Sequence, residues 1–219
     1  MSKVTGKLFS LCVGAILILL LSNISFGQID KNEILNQELD LKFSKGNIFQ
    51  ISASLATFEK IPIGFEMSSD IDFDSNEIVQ IKNGTLKEIL DSIIKQKPNY
   101  KWEIRGGVVN LYPIQSRDEI IKTLLETKFE NFTSSKESGR QGIVSVILNS
   151  NRVKEFLDSK QIKLGTFTSA NLYIKDNTTD LNISNTDLRD ILNKVVYVSG
   201  DSKLWTIKRT DSNKIILSF

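Results

Sequence analysis

The chain has 219 residues, with 28 basic and 26 acidic side chains, no histidine and a single cysteine. That near-even balance offers no field for nucleic acid and no strong pull toward anionic lipid. Without histidine the usual general base and commonest metal ligand are missing, and one cysteine cannot close an internal disulfide.

At the start, a short basic stretch, Met1 to Lys7, precedes the apolar run Leu8 to Leu21, and Ser25-Phe26-Gly27 supplies small residues ahead of Gln28. This is the pattern of a secretory signal peptide, 1–27, cleaved before Gln28. The run is shorter than the ~18 residues of a comfortable span, so no stable membrane span is expected after cleavage. Cys12, Lys3 and Lys7 leave with the leader, which balances the remaining charges and leaves no cysteine. Thiol nucleophiles, thiolate zinc sites and cysteine-ligated clusters are therefore excluded from the expected product. The expected location is the periplasm or outside the cell.

Leu39-Asp-Leu-Lys-Phe43 alternates and predicts a first strand, after a polar stretch. Ile48, Ile51, Leu55 and Phe58 then fall on one helical face up to Pro62. Ile63 to Glu66 and Glu77 to Lys82 read as strands, and Asn83-Gly84 as a turn. Thr85 and Glu88 have capping-box spacing at the head of a helix striped by Leu86, Ile89, Leu90, Ile93 and Ile94. Tyr100 to Ile104 and Val108 to Tyr112 form a hairpin around Gly106-Gly107.

Residues 114–160 predict two helices, Asp118 to Glu130 and Gly142 to Leu157, separated by a polar loop over Asn131 to Gln141. The chain then repeats itself. Thr85-Leu-Lys-Glu-Ile-Leu-Asp91 matches Asp187-Leu-Arg-Asp-Ile-Leu-Asn193, and Trp102-Glu-Ile104 matches Trp205-Thr-Ile207. Val108-Val-Asn-Leu111 matches Lys214-Ile-Ile-Leu217 across a longer turn. The predicted fold is α+β, with small mixed sheets, packed helices and two related strand–helix–hairpin units. The divisions are 1–27, 28–114, a helical middle region 115–160, and a second unit 161–219 that could pack with the middle region as one domain.

Residues 47–113 resemble the short N-terminal domain shared by secretins and TonB-dependent receptors. The pieces that carry the likeness are Ile51 to Phe58, Ile63-Gly-Phe65, Val79-Gln-Ile81, Leu86-Lys-Glu-Ile-Leu90, and the hairpin strands Trp102 to Ile104 and Val108 to Leu111. The family's Leu-x-Gly-Thr-Gly-Leu helix ending is replaced by Ile94-Lys-Gln-Lys-Pro-Asn-Tyr100, and no pore or barrel sequence follows. What the resemblance implies is a small βαβ-type module that docks protein partners or packs into rings, without chemistry of its own; the chain is expected to be a free-standing relative of it.

The remaining constellations are weak. Ser92 and Lys95 have the Ser-x-x-Lys spacing of penicillin-binding enzymes but lack the partner motifs, and read as solvent-facing beside the helix stripe. Asp70, Asp72 and Asp74 alternate, without the glycine and glutamate of a calcium-binding EF loop. No catalytic residue, metal ligand or cofactor is expected, and no nucleic-acid partner. The function expected is a non-enzymatic module binding an envelope protein, as an assembly or accessory component, with homo-oligomerisation left open. The candidate docking surface comprises Trp102, Gly106, Gly107, Tyr112 and Trp205, with the loop 131–141 beside it; Trp102 and Trp205 also suit sheet-face packing. The alternatives are a small-molecule or envelope-polymer binder using a groove between the units, and, more weakly, a carboxylate-based hydrolase.

Overall fold

The computed structural model describes residues 31–68, 78–136, 139–167, 180–200, 203–211 and 213–219. The expected leader and the acidic run Asp70 to Glu77 lie outside them. Described residues 31–219 belong to one compact unit.

The first half runs α1 (Lys31–Leu35), β1 (Glu38–Leu39), β2 (Lys45–Gly46), α2 (Ile48–Thr57), β3 (Ile63–Glu66), β4 (Val79–Gln80), β5 (Gly84–Thr85), α3 (Leu86–Gln96), β6 (Tyr100–Arg105) and β7 (Val108–Pro113). The second runs α4 (Glu119–Leu125), β8 (Lys128–Ser134), α5 (Gly139–Asn149), α6 (Asn151–Ser159), β9 (Lys163–Phe167), β10 (Leu181–Asp187), α7 (Leu188–Val198), β11 (Leu204–Asp211) and β12 (Lys214–Ser218). The fold is α+β, and the second half retraces the first. Short strands β1 and β2 pair antiparallel with β5 and β4, as β8 pairs with β10. Leu86 N donates to Gln37 O at the head of α3, and Leu188 N donates to Thr127 O at the head of α7.

Local chemistry explains the helix starts. Thr85 and Glu88 form the expected reciprocal capping box on α3, Asn47 and Gln50 form another on α2, and Asp187 accepts from Asp190 N on α7. Each cap satisfies backbone N–H groups that a helix start leaves open. The hairpin turn is also as expected, with φ of 59° at Gly106 and 77° at Gly107, which suits glycine.

Several elements differ from the sequence reading. The expected strand Leu39 to Phe43 is displaced into the short β1 and β2, and α1 precedes them. Phe58 ends α2 at 51 % exposure instead of joining its buried face. The expected tail of the first middle helix and the expected loop give way to β8. Its Phe129 and Phe132 lie three apart, a helical spacing, yet both are buried with their rings edge to face. The ladder is interrupted opposite Glu130 at Asn185, which takes φ 47°. The second middle helix is broken at Ser150 into α5 and α6. The stretch read as a separate middle region thus supplies the opening elements of the second unit.

Both halves share one sheet, in the order β6-β7-β3-β11-β12-β9. β7, β3 and β11 run one way and β6, β12 and β9 the other. The two three-stranded units therefore keep the same lateral order with reversed direction, the relation of a two-fold screw along the sheet. A rotation of that kind exchanges faces. Accordingly Ile63, Phe65, Val109 and Leu111 point into one core with α2 and α3. Val108, Trp205, Ile207, Ile215 and Leu217 point into a second core, with α4 to α7. Each unit's helices thus cover opposite sides of a common sheet.

Candidate docking site

The residues expected to form a docking surface separate in the structure. Trp205 is fully buried in the seam between the units, which removes it from any surface. Its indole lies on Gly64, where a Cβ would overlap the ring, and its Nε1 donates to Asn193 Oδ1 at 2.8 Å. Trp102 is half-buried on the outer strand β6, and its Nε1 donates to Asp91 Oδ1 at 3.1 Å. The two tryptophans are thus held by the same position of α7 and α3, one at a closed joint and one at a free edge.

Gly106 is exposed, whereas Gly107 packs under Tyr197 of α7, and a Cβ there would lie 2.8 Å from its Cε2. Tyr112 is half-buried. Its hydroxyl donates to Glu103 at 3.3 Å, and Arg117 sits over its ring at 4.6 Å. Burial, followed by the neighbouring Glu103 carboxylate, raises the Tyr112 pKa. Lys95 is exposed, as expected, whereas Ser92 is half-buried and its Oγ accepts from Gln96 Nε2 at 3.3 Å.

Charged groups that sequence reasoning missed bolt the two units together. Arg117 reaches Glu66 with two parallel bonds, Nε to Oε2 at 2.9 Å and Nη2 to Oε1 at 2.8 Å. Arg189, at the head of α7, places Nη1 2.5 Å from Glu66 Oε1. The contact is off the line of a good hydrogen bond, and Nη2 has no hydrogen-bond partner among the described residues. Glu66 and Arg189 are both at least 97 % buried, so their charges depend on one another and on Arg117. For Arg117, burial opposes the charged form, but the Glu66 bonds outweigh it and raise the pKa. A second bolt joins Arg105, at the end of β6, to Asp187 at 2.6 Å and Asp190 at 2.7 Å. Burial alone would raise the Asp187 pKa. The Asp190 N–H, Arg105 and Lys128 overcome that and hold it below its ordinary value. A glutamate closing a wholly buried strand, Ile63 to Glu66, was the sequence signal for the first bolt.

Two features face outward. The sheet ends at β6 on one side and β9 on the other, and neither outer edge is paired among the described residues. A shallow groove of about 670 Å³ lies between β8 and α5–α6, lined by Phe129, Asn131, Thr133, Val146 and Asn149, with Arg152 reaching Glu130 across it. The sequence 131–141 that read as a surface loop contributes its floor. This groove lies within the second unit. Among the described residues, no helix is long and apolar enough to cross a membrane. Comparison with family models, with curated proteins and with solved structures gave no match to this chain.

Proposed function

We propose that this chain is an exported, non-enzymatic module that binds protein in the cell envelope, akin to the secretin and TonB-receptor domain that its first half resembles. The observation that supports the reading is the pair of edges, β6 and β9, at the two ends of the six-stranded sheet, both unpaired on their outer side among the described residues. An edge offers a row of backbone donors and acceptors to an added strand, and the flanking side chains select which strand fits. Trp102 and the Gly106 turn lie on the β6 side of that surface.

The test is chemical crosslinking in the native envelope, affinity recovery and mass spectrometry. A stoichiometric envelope protein, crosslinked to lysines on β6 or β9, is the expected result. Recovery of monomer alone, where other envelope complexes crosslink, removes stable docking. The β8–α5–α6 groove favours a second reading, binding of a small molecule or envelope polymer. Protection of Arg152, which lines the groove, from arginine-selective labelling by envelope extract, with the edge lysines unprotected, would select it.

A further inference from the structure

We infer that the two free edges of the sheet are complementary to each other, so that a second copy of this chain adds its β6 to β9 in parallel and continues the sheet head to tail. The inference rests on the edge-docking reading above and names its partner. The template is the joint inside the chain. There the first hairpin strand of the second unit, β11, runs parallel to β3 of the first, with Trp205 opposite Gly64. The strand equivalent to β11 in the first unit is β6, and the strand equivalent to β3 in the second is β9. Both lack a partner on their outer side among the described residues.

The matching side chains are present as well. Gly165 occupies in β9 the place that Gly64 occupies in β3, each on the face turned away from its own unit's helices. At Gly64 a Cβ would overlap an indole; at Gly165 a Cβ would meet only ordinary contacts, Lys214 Cε at 3.5 Å and Ile215 O at 3.7 Å, and the one side chain over the glycine is the flexible end of a lysine. The corresponding indole, Trp102, is half-buried and already oriented by Asp91 as Trp205 is by Asn193. The helix positions tell the same story. Arg189 and Asn193 of α7 are buried against the first unit, whereas their counterparts Lys87 and Asp91 of α3 are exposed. Carried over, the internal register sets Lys101 of one copy opposite Leu164 of the next, and Trp102 opposite Gly165.

The outer joint is weaker than the inner one. The Glu66–Arg189 ion pair has no counterpart, since Lys87 and Phe167 stand at those positions. Each free edge also carries a lysine, Lys101 or Lys163, of the kind that limits uncontrolled pairing. Association is therefore reversible and concentration-dependent, and because the contact is heterologous it does not close at two copies.

Sedimentation velocity of the full exported chain, from micromolar to millimolar, tests this. The expected average mass climbs through dimer and beyond. Trp102→Ala and Gly165→Val each return it to monomer, and circular dichroism checks that the fold is kept. Mixing the two variants gives a dimer and nothing longer, because each retains one competent edge. A wild-type monomer throughout the range, a dimer insensitive to Gly165→Val, or a mixture that stays monomeric would overturn the inference. Any of these leaves docking of a foreign protein to be decided by the crosslinking experiment. If Trp102→Ala fails to fold, Ile104→Pro, which removes an outward-pointing backbone donor from the β6 edge, takes its place.

Discussion

The seam between β3 and β11 and the outer edges β6 and β9 are built from equivalent strands, yet they are energetically unlike. In the seam, an indole covers a glycine, a buried glutamate is held by two arginines, and α7 lies across both units. At the outer edges the tryptophan is half-buried, the glycine has only ordinary contacts beside it, and the matching helix positions, Lys87 and Asp91, are exposed. The difference teaches that the repeated pattern specifies where a contact can form, while a few unrepeated residues, Glu66, Arg117 and Arg189, decide whether it is permanent.

Substitutions at matched positions sharpen that contrast. The largest effect is expected from Glu66→Ala, which leaves Arg189 buried without a counter-charge and costs about 3–5 kcal/mol in urea unfolding. Lys87→Ala, at the position equivalent to Arg189, changes stability by less than about 0.5 kcal/mol, as ordinary surface substitutions do. Equal losses would remove the distinction between seam and edge. Next comes the glycine pair. Gly64→Ala forces the Trp205 ring to shift and costs about 1–3 kcal/mol by overpacking. Gly165→Ala meets only ordinary van der Waals distances and leaves the melting temperature of dilute protein nearly unchanged.

The smallest effect is one of pH. Asp187 has a depressed pKa in the folded state, so its contribution is fully present above its unfolded pKa of about 3.9 and is lost as pH falls through the lower folded value. Asp187→Asn keeps a capping side chain but gives up the Arg105 and Lys128 pairs. The acid limb of the stability curve should flatten below about pH 4, while stability at neutral pH falls by about 1 kcal/mol. An unchanged acid limb would show that Asp187 does not carry the second bolt.

Much of the local structure was legible because it is written in short-range chemistry. The Thr85–Glu88 box, the Asp187 cap, the Gly106-Gly107 turn and the α3 stripe each depend on residues within a few positions of one another. The true reach of the second unit was not. Likeness between the halves is strong in the helix–hairpin portion and faint before it, and Phe129 and Phe132 mimic a helix. One signal was available: Ile61-Pro-Ile-Gly64 parallels Ile162-Lys-Leu-Gly165, with Ile61 and Ile162 both buried, and would have brought β9 into the repeat. The site was less legible still. That Trp205 is buried and Trp102 half-exposed depends on which strand lies alongside, a long-range fact that equivalent sequences around the two tryptophans cannot carry. The Arg189 position gave no warning, since arginine in the first turn of an amphipathic helix ordinarily faces water.

The central strand of the sheet also has a kinetic consequence. β3 finds its second neighbour in β11, more than a hundred residues further along the chain, after every helix has been made. Closing so distant a contact is slow compared with forming hairpins and helices. During that interval the first unit holds an open strand, Ile63-Gly-Phe-Glu66, with no lysine to guard it. That interval, more than any weakness of the finished molecule, is when β3 lies open to pairing with another chain.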